Sequence, residues 1–336
     1  MSARRVLITG ATGGLGMALV REACAHGLNV RATGRSTDAG EALQEIGAEF
    51  IPLDLESRDA DLGALLTGCG SVIHAAALSA SWGQRAAFES ANVHMTRRLL
   101  DAALSRNVRR FVFVSSPSIF AQFEDRIGIA DNAKPNPRPL NHYAATKLVA
   151  ERLVLNAPSA AMSCCAIRPR ALVGDGDRVI LPKLAELASR TKMPLPRGGT
   201  AKIELTDLRD AAWAICEAEE RAADLSGRAI NISGGQPHTV RDVAEQLAKT
   251  LGKTPRLVPV PIAAAHILAN LLEGIAKLRG SQNEPLLTRY TLATLAYSQT
   301  FDLTQAEHLL GYTPRHDALA TLLDQARMIA HKENAA

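Results

Sequence analysis

Arg4-Arg5-Val6-Leu7-Ile8-Thr9-Gly10-Ala11-Thr12-Gly13-Gly14-Leu15-Gly16 is the stretch that decides the fold. Val6, Leu7 and Ile8 form a short continuous apolar run, the pattern of a parallel strand buried on both faces. Glycines follow at 10, 13 and 16, and an apolar-periodic segment (Met17, Leu19, Val20, Ala23) starts at once. Gly10 permits a tight turn, Gly13 lets the backbone approach a pyrophosphate, and Gly16 lets the new helix lie close on the strand. The N-terminus of that helix offers free N–H groups and a positive dipole end to phosphate. A glycine triplet alone is a weak signal. Between a buried strand and a helix it reads as a dinucleotide-binding turn, against the plainer reading of a Gly-rich loop.

The same unit repeats along the chain. The sequence predicts a second strand over 30–33, a helix over 41–46, a third strand over 49–53 and a fourth over 71–74. A long helix over 84–106 carries Phe88, Ala91, Met95, Leu99 and Ala102 on one face, and a fifth strand over 109–114 follows. Repeated βαβ units imply an α/β fold, a Rossmann-type doubly wound parallel sheet with ligands at the strands' carboxyl ends. A sixth strand over 162–167 completes a dinucleotide-binding domain over 1–168. Beyond it the pattern loosens: a helix over 178–190, a strand over 202–205, a helix over 207–222, a strand over 229–232 and a helix over 239–251. We expect 169–336 to form a smaller α+β substrate lobe, interleaved with the first domain and folded over the sheet's carboxyl edge.

Composition narrows the function classes. The 336 residues are 47% hydrophobic and 21% charged, as in a soluble globular protein. Net charge is +4 with no basic run, and aromatics are only 4%, so little is available for stacking bases. Nucleic acid is not an expected partner. Five cysteines form no CxxC and nine histidines no HExxH, so no metal is expected, and free thiols suit a reducing cytoplasm. No h-region precedes the first strand, so the expectation is a cytoplasmic protein without a signal peptide.

The residues with chemical potential gather at the predicted carboxyl edge. The second strand ends at Gly34-Arg35, where NAD-binding folds usually place an acid on the adenosine ribose. A guanidinium there suits a ribose 2′-phosphate, which predicts NADP(H) in preference to NAD(H). Asp54, ending the third strand, either bonds an adenine amino group or caps the next helix. Ala75-Ala76-Ala77 after the fourth strand suits close backbone approach by a cofactor, and His74 beside it reads as a packed core histidine. Ser115-Ser116-Pro117-Ser118 follows the fifth strand, and Tyr143-Ala144-Ala145-Thr146-Lys147 opens the next helix. Residues four apart share a helical face, so Tyr143 and Lys147 point the same way. An ammonium and a cationic nicotinamide would draw the phenol's pKa down from about 10 towards the working range.

Taken together, Thr9-Gly10-x-x-Gly13-x-x-Gly16, Asp54, Ala75-Ala76-Ala77, Asn92, Ser116, Tyr143-x-x-x-Lys147, Arg168-Pro169 and Gly311-Tyr312-Thr313-Pro314 resemble the extended short-chain dehydrogenase/reductase family along nearly the whole chain. Ser115-Ser116-Pro117-Ser118, the run from Ile167 to Asp177 and Asn231-Ile232-Ser233-Gly234-Gly235 are similar to the 3β-hydroxysteroid dehydrogenase-like branch, above all to bacterial 2-alkyl-3-oxoalkanoate reductases. The resemblance implies Tyr143 as general acid–base, Lys147 on the nicotinamide ribose and Ser116 on the substrate oxygen. Pro117 interrupts the serine motif, which makes Ser118 a second serine to consider, and Ala77 stands where the family often has glycine. The implied cofactor site comprises Gly10, Thr12, Gly13, Gly14, Leu15, Gly16, Arg35, Asp54, Leu55, Ala75, Ala76, Ala77, Tyr143, Lys147 and Pro169. The implied activity interconverts a secondary alcohol and a ketone on a bulky hydrophobic molecule. Two other readings are a nucleotide-sugar epimerase or dehydratase with the same Tyr/Lys/Ser set, and a non-catalytic dinucleotide sensor. Family members often pair as homodimers through helices equivalent to 84–106 and 141–156.

The second half offers substrate features. Within 259–278, His266, Asn270, Glu273 and Lys277 recur at helical spacing, which argues against a membrane span. Ile267, Leu268, Leu271, Leu272, Ile275 and Leu278 occupy the rest. The default reading is a helix packed on the core. The sharper one has it line a greasy cleft with 286–295, or touch a membrane surface. Arg168, Arg170 and Arg197 could each hold a substrate carboxylate or phosphate or be structural, and Asp175/Asp177 suit a metal less well than a turn.

Overall fold

The computed structural model describes residues 4–177 and 180–335. Its main sheet comprises β1 (Arg5–Thr9), β2 (Asn29–Gly34), β3 (Glu49–Pro52), β4 (Cys69–His74), β5 (Arg110–Val114), β6 (Ser163–Pro169) and β7 (Ala229–Ile232). Their order is β7-β6-β5-β4-β1-β2-β3, and every pairing is parallel. This is the Rossmann-type doubly wound arrangement expected from the sequence. Chain direction across the sheet reverses between β1 and β4, and such a switch point opens a crevice at the carboxyl ends of the two strands.

Successive side chains along each strand divide between the two faces of the sheet. Val6 and Ile8 join Val112, Val114, Cys165 and Ile167 on one face. Leu7 joins Val72, Phe111, Phe113, Cys164 and Ala166 on the other. The adjacent Cys164 and Cys165 therefore belong to different cores, and all five cysteines are free thiols. The helices α1 (Gly14–Ala25), α2 (Thr37–Glu45), α3 (Met95–Ser105), α4 (His142–Leu155) and α5 (Leu208–Glu220) cover the sheet. Leu19, Val20, Leu43 and Ile215 close the first face; Leu99, Ala150 and Val154 close the second.

Several boundaries differ from the sequence expectation, each for a local reason. α2 starts at Thr37, four residues early, because the Ser36 hydroxyl caps it by accepting from the Ala39 N–H; its polar first turn hides it from hydrophobic periodicity. The helix expected over 84–106 is broken into a short α segment (Arg85–Phe88), a π segment (Glu89–His94) and α3. At the π segment the Asn92 amide bonds both the N–H and the carbonyl of Leu78, at 2.8 and 3.2 Å. π-bulges of this kind recur at functional sites. The strand expected over 202–205 is only Lys202–Ile203. Arg178, first residue of an expected helix, falls outside the described residues; the helix there is Ile180–Ala188.

From the second half, β7 pairs along β6 and Ala212, Ala214 and Ile215 of α5 join the first core, so the main sheet draws on both halves. The remainder builds a four-stranded sheet of short strands and a third core around Val173, Leu181, Leu195, Leu205, Val243, Leu247 and Leu322. It includes α6 (Val240–Thr250), α7 (Ile262–Leu278) and α8 (Arg289–Ala296). α7 packs on its neighbours through small residues and not through its leucines. Its buried residues are Ala265, Ala269, Glu273 and Ala276, and Ala265 and Ala269 pack with Leu292 and Ala296 of α8. Small residues allow the two helices to approach closely, which turns the larger side chains outward: Ile267 is 70% exposed and Leu278 90%. Among the described residues no helix is long and apolar enough to cross a membrane.

Candidate active site

The glycine loop is held by backbone contacts that leave no room for side chains. Gly10 has φ +66°, and a Cβ there would lie 2.7 Å from the Ala76 N. The loop is thus seated on Ala75-Ala76-Ala77 across the switch point. A Cβ on Gly16 would lie 2.1 Å from the Gly10 carbonyl oxygen, and one on Gly14 2.7 Å from that of Gly176. Gly13 differs: its nearest neighbour would be the Gly10 oxygen at 3.4 Å. No side chain caps the start of α1, and its first turn carries no acid. Uncapped helix N–H groups fit a pyrophosphate, which Thr12, Gly13, Gly14 and Leu15 would meet first.

The flanking residues fall around that loop. Thr12 closes against the end of β2, where a Cβ on Gly34 would meet its Oγ1 at 2.5 Å. Arg35 follows, exposed and in no ion pair among the described residues. Asp54 is exposed and its carboxylate accepts from the Glu56 N–H at 3.1 Å. It does not cap the next helix, because Asp61 does so through the Ala64 N–H. Leu55 is buried beneath it. Pro169 ends β6, paired with Ile232.

His74 has no free ring nitrogen. Thr9 Oγ1 lies 2.7 Å from Nδ1 and Thr96 Oγ1 3.0 Å from Nε2. Thr96 spends its proton on the Asn92 carbonyl, and Thr9 Oγ1 already accepts from the Ala76 N–H. Nε2 therefore donates and Nδ1 accepts, the neutral tautomer. Burial, with the charge of Lys147 nearby, pushes its pKa down to about 3. It is a packed histidine, as the sequence suggested, and it clamps β1 to β4 beside the crevice.

Tyr143 lies in the first turn of α4, which Asn141 caps by accepting from the Ala144 N–H at 2.8 Å. Ser116 ends the β5 loop and caps a 3₁₀ turn over Pro117–Phe120, accepting from the Ser118 N–H at 3.2 Å. Proline is tolerated at the first position of such a turn, where its missing donor costs nothing. The structure brings Ser116 to Tyr143: its hydroxyl reaches the phenol and favours the ionised form. The Ser118 hydroxyl is buried without a partner. Burial dominates at Tyr143, and pushes its pKa up to about 12. Lys147 stands one turn further along α4. Its Nζ is turned to the Val114 carbonyl at 2.5 Å, over the Phe113 ring, and burial pushes its own pKa down to about 7. In this state the phenol is a proton donor.

A polar layer beneath the pair was missed from the sequence. Glu151, one turn beyond Lys147, accepts from Ser115 Oγ at 2.6 Å and takes both arms of the Arg168 guanidinium at 2.7 and 2.8 Å. The Tyr143, Lys147, Glu151 spacing of four and four was the available signal. Arg168 is thereby structural, and Arg197 is likewise held by Asp125 at 3.0 Å. Asp177 accepts from the Ile180 and Leu181 N–H groups, a helix cap and not a metal ligand. Among the described residues no cluster could hold a metal.

Known proteins are similar to this chain along nearly its whole length. The NAD dependent epimerase/dehydratase family pattern matches residues 6–233. A 2-alkyl-3-oxoalkanoate reductase of Stenotrophomonas maltophilia (strain K279a) is 31% identical over 93% of this chain and 95% of its own. A 4-hydroxy-2-methyl-3-oxo-4-farnesyl-3,4-dihydroquinoline-1-oxide ketoreductase of Stigmatella aurantiaca is 30% identical over 93% and 92%. Among solved structures, MoeE5 in complex with UDP-glucose and NAD superposes with a TM-score of 0.75 at 25% identity, over 99% of this chain and 100% of that one. The chain belongs to the NAD dependent epimerase/dehydratase family, the extended short-chain dehydrogenases/reductases, and is an enzyme of that family.

Proposed function

We propose that this enzyme is an NADP(H)-dependent oxidoreductase interconverting a ketone and a secondary alcohol on a bulky hydrophobic substrate, steroid-like or a long-chain 3-oxo acid. The observation that carries the reading is the Tyr143 phenol within reach of the Ser116 hydroxyl at the carboxyl edge, one strand from the crevice. A bound nicotinamide dinucleotide supplies the hydride chemistry. Tyr143 donates its proton to the substrate oxygen, and Ser116 donates a hydrogen bond to the same oxygen as negative charge develops there. Lys147, fixed by the Val114 carbonyl, would hold the nicotinamide ribose. The reductase names of two relatives support a ketone substrate. UDP-glucose in the structural relative keeps nucleotide-sugar epimerisation as the second reading.

The cofactor preference rests on Arg35, exposed at the end of β2 after Gly34, which stands where an acid would accept from a ribose. Titration by nicotinamide fluorescence tests it. NADPH is expected to bind at least ~10-fold tighter than NADH, and Arg35→Ala to bring the two together by removing one charge-assisted contact. Equal affinities in the unmodified protein would reverse the assignment to NAD(H).

Two surfaces bear on partners. A groove of about 500 Å³ lies between α3 and α4, lined by Leu100, Leu104, Val149 and Leu153. Leu104 and Val149 are exposed there, which supports pairing with a second copy through these helices. The outward leucines of α7 support contact with a hydrophobic substrate reservoir such as a membrane surface.

A further inference from the structure

Of the three arginines that could meet a substrate anion, two are used up by the protein. Arg168 is clamped by Glu151 and Arg197 by Asp125. Arg170 is not. Its side chain is 93% buried, given a relative exposure of 7%. Its Nε is sealed from solvent with no hydrogen-bond partner, and it makes no ion pair among the described residues. Among the described residues the terminal nitrogens take no hydrogen-bond partner either, and unlike Nε they are not sealed from solvent. Buried guanidinium groups are nearly always paired, since desolvation without a counter-charge is costly.

The backbone holds this side chain firmly in place. The Arg170 N–H donates to the Ile232 carbonyl at 2.8 Å, and its carbonyl accepts from the Thr206 hydroxyl. Ala171 then turns away with φ +41°. Arg170 directly follows β6, whose neighbour β5 leads into Ser115 and Ser116, and Val114 is in register with Ile167. Three residues of strand rise place Arg170 about 10 Å beyond that register point, on the edge that carries Ser116 and Tyr143. Tyr290, from α8, is near enough to act electrostatically on both Tyr143 and Arg170. Glu204, the other group acting on Arg170, has its Oε2 taken by Ser233 Oγ at 2.6 Å and the Phe301 N–H at 3.2 Å, and it makes no ion pair with Arg170 among the described residues.

We propose that Arg170, with Tyr290 beside it, is a carboxylate-binding subsite, so that the substrate is an oxo acid whose carboxylate lies close to the reacting carbonyl. The inference rests on the ketone-reductase reading and narrows it. Carboxylate oxygens satisfy a guanidinium fork as no neutral ketone can. Bound there, the acid would orient the carbonyl towards Ser116 and Tyr143 and leave its alkyl chains to the apolar parts of the cleft. Arg170 is in this sense a specificity-determining residue.

The experiment compares a long-chain 3-oxo acid with its methyl ester, by kcat/KM for NADPH oxidation. It also compares binding of the matching 3-hydroxy acid and ester to the protein with NADP⁺. In the unmodified protein the acid is expected to be favoured at least ~10-fold in both, the scale of one charge-assisted contact. Arg170→Met should erase the preference by lowering the acid alone, and Arg170→Lys should keep part of it. Thermal melting checks that each variant is folded, and the acid–ester comparison in the unmodified protein stands without any variant. Acid and ester treated alike, or lowered equally by Arg170→Met, would overturn the subsite while leaving ketone reduction intact. No reduction of either compound would overturn the ketone-reductase reading itself, and the subsite with it.

Discussion

Replacing Tyr143 with Phe is expected to lower turnover by a factor of about 10²–10⁴, the usual worth of a positioned proton donor, and to leave dinucleotide affinity within about twofold. The phenol oxygen is the only atom removed. The ring stays packed in the first turn of α4, and the helix cap at Asn141 does not involve it. With the phenol held protonated by burial, its pKa up at about 12, the oxygen acts by donating. Steady-state NADPH oxidation and a fluorescence titration on the same preparation separate the two effects. Retained turnover would remove Tyr143 from the chemistry. Lost binding would mean that the substitution damaged the crevice.

Gly16→Ala is expected to cost both stability and cofactor binding. The added Cβ would lie 2.1 Å from the Gly10 oxygen and 2.6 Å from the Ala11 Cα, all backbone atoms in the loop that carries the phosphate site. Such overlap cannot be relieved by a side-chain rotation, so the loop or α1 must move, at about 3 kcal/mol or more. Gly13→Ala is the informative companion. Its nearest contact would be 3.4 Å, so the fold should tolerate it while the methyl group blocks the pyrophosphate. Urea unfolding with NADPH titration should show both variants losing binding and only Gly16→Ala losing stability. Normal stability in Gly16→Ala would mean that the close helix–strand approach is not required.

The sheet was legible because its signals are local and redundant. Val6-Leu7-Ile8 and Gly10, Gly13 and Gly16 encode a strand, a turn and a helix start within a dozen residues. Tyr143 and Lys147 were legible for the same reason, since four-residue spacing fixes a shared helical face. What the sequence hid depends on partners distant in the chain. The π segment at Asn92 is tied to Leu78 and Thr146, and nothing in the periodicity of 84–106 marks it. Glu151 reads as an ordinary helix acid until Arg168 and Ser115 are brought against it. The leucines on α7 left core packing and an apolar cleft both open, and alanine allows the closer approach to α8, so they point outward. Tertiary contact decided these cases over local pattern.

The central claim is that the crevice reduces a hydrophobic ketone with NADPH. The most direct test is NADPH consumption by the purified protein with long-chain 2-alkyl-3-oxo acids and steroid ketones, run beside UDP-glucose as the alternative substrate. Steady NADPH consumption with a hydrophobic ketone, absent in Tyr143→Phe and absent with UDP-glucose, is the predicted result. Interconversion of UDP-sugars with no net change in NADPH, and no reaction with any ketone, would contradict it and make the protein an epimerase.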